Sequence, residues 1–281
     1  MRTIDIHTHG LGGKDTRTSD AEDILKMAEL HGEAGTDAII PTIYPAAIAV
    51  MRENMTAVKK AMVAQKTGAK ILGINLEGPF LNPLRCGALD AASFLKPDER
   101  ALMELIEGFG ESIKIMTIAP ELPGALTLIE KLSGMGIAVS MGHSDATYAE
   151  AEAGFRAGAR GITHMFNAMR PFHHREPGIA GFGLMKKDVY IEVIGDPFHL
   201  NRKTIELIFK VKDPKRIILV SDSGPSAQTL PTGKPATDES GRLLYGSMPI
   251  ASIVERLVGL GIERRLLERC VSENPRRLLS L

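Results

Sequence analysis

Short apolar segments alternate along this chain with longer segments in which apolar residues recur at helical spacing. Each short segment is rich in branched aliphatic residues and ends in glycine, proline, aspartate or histidine, which is typical of a buried parallel strand followed by a turn. Eight such segments predict strands at residues 3–7, 38–43, 71–77, 113–118, 137–143, 161–164, 189–194 and 217–222. Strands that alternate with helices predict an α/β fold with a parallel sheet. Eight units in 281 residues favour a closed (β/α)8 or TIM barrel.

The segments between the strands carry signals for helix starts and stops. They predict one helix over residues 21–34 and another over residues 146–157. The second helix follows Ser144 and Asp145, whose side chains can cap a helix N-terminus, and it stops before Gly158. No glycine- and serine-rich linker interrupts the alternation, so we expect residues 1–281 to form a single barrel domain.

Charge and composition exclude several classes of function. Lysine plus arginine number 34 and aspartate plus glutamate number 34, so the net charge is zero and no overall field attracts nucleic acid or an anionic membrane. The first ten residues have no apolar core typical of a secretion signal, and the longest apolar stretch, 38–51, is too short to span a bilayer. Cys86 and Cys270 do not form a CxxC pair. The sequence therefore predicts a soluble cytoplasmic protein with reduced cysteines.

Side chains that can bind metal stand at the ends of five of the eight predicted strands. They are His7, His9, Glu77, His143, His164 and Asp222. The carboxyl ends of barrel strands meet at one face, where the active sites of such barrels lie. Alternation along an extended strand also places His7 and His9 on the same side. Because this many imidazoles and carboxylates at one mouth favour a cation between them, the pattern predicts a divalent metal site.

Taken singly, some of these residues have simpler explanations. His143 could cap a helix together with Ser144, and His164 could be a hydrogen-bonded histidine of the core. Glu77 and Asp222 are harder to explain in this way, because a carboxylate at the end of a buried strand is costly without a cation or a partner. The set as a whole therefore favours the metal site.

Several longer motifs resemble those of the amidohydrolase superfamily, and more narrowly the N-acetylglucosamine-6-phosphate deacetylase family. They are IDIHTHG at 4–10, LEGPFL at 76–81, GHS at 142–144, THMFNAM at 163–169 and HREPG at 174–178. They occur in the family's order, and the match runs from the first strand to Asn274-Pro275. The resemblance implies a hydrolase of carbon–nitrogen bonds that converts N-acetylglucosamine 6-phosphate to glucosamine 6-phosphate and acetate.

The resemblance also implies roles for individual residues. Glu77, His143 and His164 match the metal site that the family always has. His7 and His9 match the second site of its two-metal members, with Glu77 as the bridge. The residues expected to contact the sugar phosphate are Ala88, Asn167, Ala168, Arg175, His199, Leu244, Tyr245 and Gly246. We expect one or two divalent ions per chain, with zinc as the first expectation and iron, manganese, cobalt or nickel as alternatives, and a homodimer as the assembly.

The implied chemistry agrees with these residue types. A divalent metal lowers the pKa of bound water from about 15.7 towards 7, which gives a strong nucleophile near neutral pH. Asp222 would act as general base towards this water and as general acid towards the leaving amine. His199 could stabilise the oxyanion, and Arg175 offers a planar fork that suits a phosphate. Local pairing with Glu176 is the alternative role for Arg175.

The chain departs from the family at several points. The family's small β-sandwich has no counterpart in these residues, so we expect the barrel alone. Leu89 stands where the family has a histidine that helps to polarise the acyl carbonyl, and leucine cannot donate a hydrogen bond. Pro197 and Phe198 precede His199, and Tyr245 replaces a smaller residue. These changes leave two alternatives open, an amidohydrolase of another N-acyl or cyclic amide and a non-catalytic binding protein on the same scaffold.

Overall fold

The computed structural model describes residues 3–230 and 234–280. The strands in these residues are β1 (Ile4–Thr8), β2 (Gly10–Leu11), β3 (Lys14–Asp15), β4 (Ala38–Ile43), β5 (Lys70–Ile71), β6 (Ile74–Glu77), β7 (Ile113–Ile118), β8 (Ala138–Met141), β9 (Gly161–Ile162), β10 (Tyr190–Ile194), β11 (Ile217–Val220), β12 (Ala236–Thr237) and β13 (Leu243–Tyr245). The α-helices are α1 (Ala21–Glu33), α2 (Ile48–Ala64), α3 (Glu99–Ile106), α4 (Ala125–Gly134), α5 (Tyr148–Ala157), α6 (Gly178–Met185), α7 (Arg202–Val211), α8 (Ile250–Gly259), α9 (Arg264–Val271) and α10 (Glu273–Leu278).

Eight parallel strands form the barrel in the order β1, β4, β6, β7, β8, β9, β10 and β11, and helices lie between them along the chain. The barrel closes between its last and first strands, where the backbone N–H of Asp222 donates to the carbonyl of His7 at 2.9 Å and Thr8 bridges to Ser223. The third predicted strand is divided into β5 and β6, which both pair with β4. The predicted (β/α)8 barrel is confirmed.

Burial of the strands on both faces accounts for their continuous apolar character. The larger apolar cluster joins the barrel to the surrounding helices, as Ile39 of β4 packs in one cluster with Met27 of α1 and Met55 of α2. None of the helices that the structure describes between residues 3 and 280 has both the length and the hydrophobicity that a bilayer crossing requires.

Helix α5 begins later than its sequence pattern predicts. Thr147 is its N-cap, accepts from the backbone N–H of Glu150 and completes a capping box with that residue. The predicted capping residues have other partners, since the Ser144 hydroxyl donates to Glu121 at 2.7 Å and Asp145 forms ion pairs with two arginines. These contacts fix the segment between β8 and α5, which includes His143.

Two short hairpins lie beside the carboxyl end of the barrel. One pairs β2 with β3, and the other pairs β12 with β13. The second is attached to the barrel through Gly246, which bridges to Ser223 just after β11. A Cβ atom on Gly246 would lie 2.0 Å from the carbonyl oxygen of Ser221, so only glycine permits this approach.

Candidate active site

The five predicted metal ligands and the predicted catalytic residue Asp222 converge at the carboxyl end of the barrel, and each is at most 9% exposed. Glu77 lies at the centre: its Oε1 is 3.0 Å from Nε2 of both His143 and His164, and its Oε2 is 3.0 Å from Nε2 of His9. Asp222 Oδ1 lies 3.4 Å from Nε2 of His7 and 3.5 Å from Nε2 of His9. The arrangement offers two groups of three donors with atoms within 4.8 Å of one another, the first formed by Glu77, His143 and His164 and the second by His7, His9 and Asp222.

Hydrogen bonds on the far side of the rings determine which nitrogens face the cluster as acceptors. Nδ1 of His143 lies 2.9 Å from the carbonyl oxygen of Arg85, and Nδ1 of His9 lies 3.0 Å from that of Thr42. A carbonyl oxygen only accepts, so Nδ1 of each ring carries a proton and Nε2 is the nitrogen that can present a lone pair to a metal.

These lone pairs face other acceptors. Nε2 of His143 lies 3.0 Å from Nε2 of His164, and both lie 3.0 Å from Oε1 of Glu77. Acceptors at such distances require either protons or a cation between them. A divalent ion with nitrogen and oxygen ligands therefore fits this set of residues.

Glu192 supports the cluster from behind, and sequence reasoning missed it. It lies in the middle of β10, is 3% exposed, and its Oε2 is 3.0 Å from Nδ1 of His7 and 3.3 Å from the backbone N of His164. A carboxylate that accepts from the second nitrogen of a metal-binding histidine fixes the ring and raises its basicity. The available signal was a glutamate inside the otherwise apolar segment Tyr190–Ile194.

Without a cation, the imidazoles and carboxylates of the cluster stabilise one another's charged forms and thereby shift one another's pKa values. Burial lowers the pKa of His7, but the Asp222 and Glu192 carboxylates outweigh it and hold this pKa well above the ordinary value. Burial raises the pKa of Glu77, but hydrogen bonds from His143 and His164 hold it well below the ordinary value. A metal that binds here therefore competes with protons for the imidazoles.

Several of these residues have an uncommon backbone conformation. His143, His164 and Asp222 have positive φ angles of 47°, 29° and 47°, although none is glycine. Each is the second residue after the end of its strand, on the loop that leads towards the next helix. Backbone strain of this kind is concentrated at functional sites, where the surrounding structure maintains it.

A cavity of about 240 Å³ opens over the cluster, and five of the eight predicted substrate-binding residues line it. They are Ala88, Asn167, Ala168, His199 and Leu244. Nδ1 of His199 lies 3.0 Å from Oδ2 of Asp196, so Nε2 is the nitrogen left for a ligand. Tyr44, Arg242 and Leu243 also line the cavity, and no sequence pattern indicates a functional role for them.

The other three predicted substrate-binding residues lie outside this lining. Arg175 is exposed on the loop before α6, with Nη1 3.1 Å from Nε2 of His174. Tyr245 lines a neighbouring cavity. The backbone N–H of Gly246 donates to the carbonyl oxygen of Asp222 at 2.6 Å, so Gly246 supports the strand end rather than the cavity surface.

Comparison with known proteins finds related deacetylases, although no family model matches the chain. The N-acetylglucosamine-6-phosphate deacetylase of Lysinibacillus sphaericus is 31% identical over 242 residues, which cover 86% of this chain and 62% of the relative. That of Bacillus subtilis is 35% identical over 78% of this chain and 56% of the relative. The N-acetylgalactosamine-6-phosphate deacetylase of Escherichia coli O157:H7 is 33% identical over 82% of this chain and 61% of the relative. The chain thus spans about six tenths of the length of these relatives.

Solved structures give the same relationship. A Mycobacterium smegmatis N-acetyl-D-glucosamine-6-phosphate deacetylase variant, in complex with N-acetyl-D-glucosamine 6-phosphate, superposes with a TM-score of 0.93 at 26% identity over 100% of this chain and 77% of that one. The Thermotoga maritima N-acetylglucosamine-6-phosphate deacetylase superposes with a TM-score of 0.87 at 29% identity, over 99% of this chain and 78% of that one. Sequence and structure together show that this chain is homologous to N-acetylglucosamine-6-phosphate deacetylases over the whole of its barrel.

Proposed function

We propose that this chain is a metal-dependent amidohydrolase that deacetylates N-acetylglucosamine 6-phosphate to glucosamine 6-phosphate and acetate. The observation that carries the proposal is the convergence of four imidazoles and two carboxylates under one cavity, with the lone pairs of His9 and His143 directed inward by carbonyl acceptors. The names of the relatives support the choice of substrate.

The donor set supports the binding of one or two divalent ions. Glu77, His143 and His164 would hold the first ion, and His7 and His9 with the bridging Glu77 would hold a second. The metal, when bound, polarises the amide carbonyl and activates water for attack. A set of imidazole and carboxylate donors suits zinc first, with iron, manganese, cobalt and nickel as alternatives.

Asp222 would move the protons. Its Oδ1 lies at the cluster, while its backbone is held by the carbonyl of His7 on one side and by the N–H of Gly246 on the other. This position allows the carboxylate to take a proton from the attacking water and to pass it to the nitrogen of the leaving amine. Without that protonation the amine is a poor leaving group.

The cavity walls would orient the sugar. Nε2 of His199 is available to the acyl oxygen or a sugar hydroxyl, because Asp196 occupies Nδ1. Asn167 donates its amide to the carbonyls of His164 and Met165, which leaves its Oδ1 as an acceptor. Arg175 would bind the phosphate where the substrate extends past the cavity to the exposed loop.

The proposal is tested by turnover of N-acetylglucosamine 6-phosphate by the metal-loaded protein and by an Asp222→Asn variant. We expect release of acetate by the unmodified protein and a fall in kcat of about a hundredfold or more in the variant. Metal at Glu77, His143 and His164 should remain in the variant. Stoichiometric metal with no release of acetate from any N-acyl sugar would contradict the proposed function.

The second candidate function is hydrolysis of a substrate without a phosphate. It is favoured because Arg175, the predicted phosphate-binding residue, is exposed and does not line the cavity. Hydrolysis of N-acetylglucosamine or a cyclic amide as fast as the phosphorylated sugar would support this alternative.

The single domain, the homodimer and the cytoplasmic location stay predictions. Limited proteolysis, sedimentation analysis and cell fractionation test them.

A further inference from the structure

One wall of the active-site cavity consists mainly of apolar side chains and also lines a second cavity. The residues shared by the two cavities are Tyr44, Ala88, Leu89 and Leu244. This wall adjoins the metal-binding cluster directly, because the ring of Tyr44 stacks on His9 with centroids 3.8 Å apart. Polar side chains of the active-site cavity that suit a sugar, Asn167 and His199, are not part of the shared wall.

The second cavity has a volume of about 290 Å³ and is lined by further apolar surface. Pro45 and the ring of Tyr245 add to the shared residues, and Arg17 and Asp90 complete the lining. The charge of Arg17 is already paired, since Arg17 forms an ion pair with Asp15 at 2.7 Å and lies 4.5 Å from the centre of the Tyr44 ring. With this charge paired and Asp90 adding a negative one, the cavity disfavours a phosphate. Its apolar part, formed by Pro45, Leu89 and Leu244, suits a short acyl chain.

We propose that this second cavity is an acyl subsite, which admits N-acyl groups longer than acetyl. The inference rests on the proposed function. When the amide carbon lies over the cluster and the sugar lies towards Asn167 and His199, the acyl chain is directed to the opposite wall. There it runs along Leu89 and Leu244 into the second cavity and packs against Pro45.

Leu89 is the specificity-determining residue in this arrangement. It is half-buried, lines both cavities and offers only carbon atoms to a ligand. Each methylene that leaves water against such a wall is worth about fourfold in binding, because burial of one methylene contributes about 0.8 kcal/mol. An acetyl group leaves this surface unused, whereas a butyryl group covers it.

The experiment measures kcat/KM for the N-acetyl, N-propionyl and N-butyryl derivatives of glucosamine 6-phosphate with the metal-loaded protein. We expect kcat/KM for butyryl to equal or exceed that for acetyl. Leu89→Trp places a larger side chain where the two cavities meet, so it should lower the butyryl-to-acetyl ratio tenfold or more. Leu84→Trp is the matched control, since Leu84 lies on the same loop with 78% of its surface exposed, and it should leave the ratio unchanged.

Two results would overturn the acyl subsite while leaving the deacetylase function intact. One is a fall of tenfold or more in kcat/KM from acetyl to butyryl in the unmodified protein. The other is an equal effect of Leu89→Trp on all three compounds. Failure to hydrolyse every N-acyl compound, the acetyl sugar included, contradicts the proposed function and the subsite with it. The acetyl substrate thus distinguishes the two failures.

Discussion

The imidazole of His9 stacks on the ring of Tyr44, with ring centroids 3.8 Å apart and planes inclined by 20°. The guanidinium of Arg17 lies 4.5 Å from the centre of the same ring and is held by Asp15. Two planar groups this close to one ring occupy opposite faces, so Tyr44 lies between Arg17 and His9. The stack fixes the plane of an imidazole whose Nε2 faces Glu77.

Loss of the stack should weaken the second metal position. In Tyr44→Leu the His9 ring loses its support, and we expect the affinity for a second ion to fall about tenfold or more, as for other residues that orient metal ligands. Tyr44→Phe keeps the ring and should keep the affinity. Elemental analysis at stepped free-metal concentrations measures the number of ions per chain. Equal second-ion affinity in Tyr44→Leu and the unmodified protein would show that the stack has no such role.

Glu192 should support metal binding without contacting the ion. In Glu192→Gln the charged acceptor of His7 Nδ1 is lost, so we expect metal affinity to fall about 10- to 100-fold. Competition with a chelator of known affinity measures this change. Glu130→Gln is the control, because Glu130 is exposed on α4, and it should not differ from the unmodified protein. A Glu192→Gln protein that holds metal equally well would contradict the role of Glu192.

His31 should make stability depend on pH. It is buried on α1, and burial lowers its pKa from 6.5 in the unfolded chain to about 3. As the pH falls below 6.5, the unfolded chain takes up a proton that the folded protein excludes. The free energy of unfolding should therefore fall by about 1.4 kcal/mol per pH unit from this residue until the pH approaches its folded-state pKa.

Urea unfolding between pH 4 and pH 7 measures this contribution, with His31→Gln as the comparison. The variant loses the titrating group and keeps an amide that can reach Thr8, whose hydroxyl lies 3.0 Å from Nε2 of His31. Its stability should decline less steeply with falling pH. Parallel curves for the two proteins would refute the assignment.

Much of the fold and the centre of the site could be predicted because they depend on local pattern. A buried strand reads as an apolar run, and a polar residue that ends such a run lies at the catalytic face of a barrel. Glu77 and Asp222 stand out for this reason. The Glu192 side chain lies within a strand instead, and its partner, His7, is 185 residues away. The sequence shows that Glu192 is buried but cannot show what it contacts.

The cavity walls could be predicted only in part, because they depend on loops that meet across long stretches of chain. Leu243 and Arg242 reach the cavity because the hairpin of β12 and β13 is attached beside Ser223 through Gly246. No local pattern indicates this attachment. The helix cap at Thr147 was missed for a similar reason, since Ser144 has a competing partner in Glu121.

The content of bound metal tests the central claim most directly. After loading with zinc and removal of excess metal, elemental analysis should find one or two ions per chain in the unmodified protein. In Glu77→Gln, which removes the charge at the centre of the cluster, the content should fall well below one ion per chain. Zinc near zero in the unmodified protein, or an equal content in the two proteins, would contradict a metal centre at Glu77.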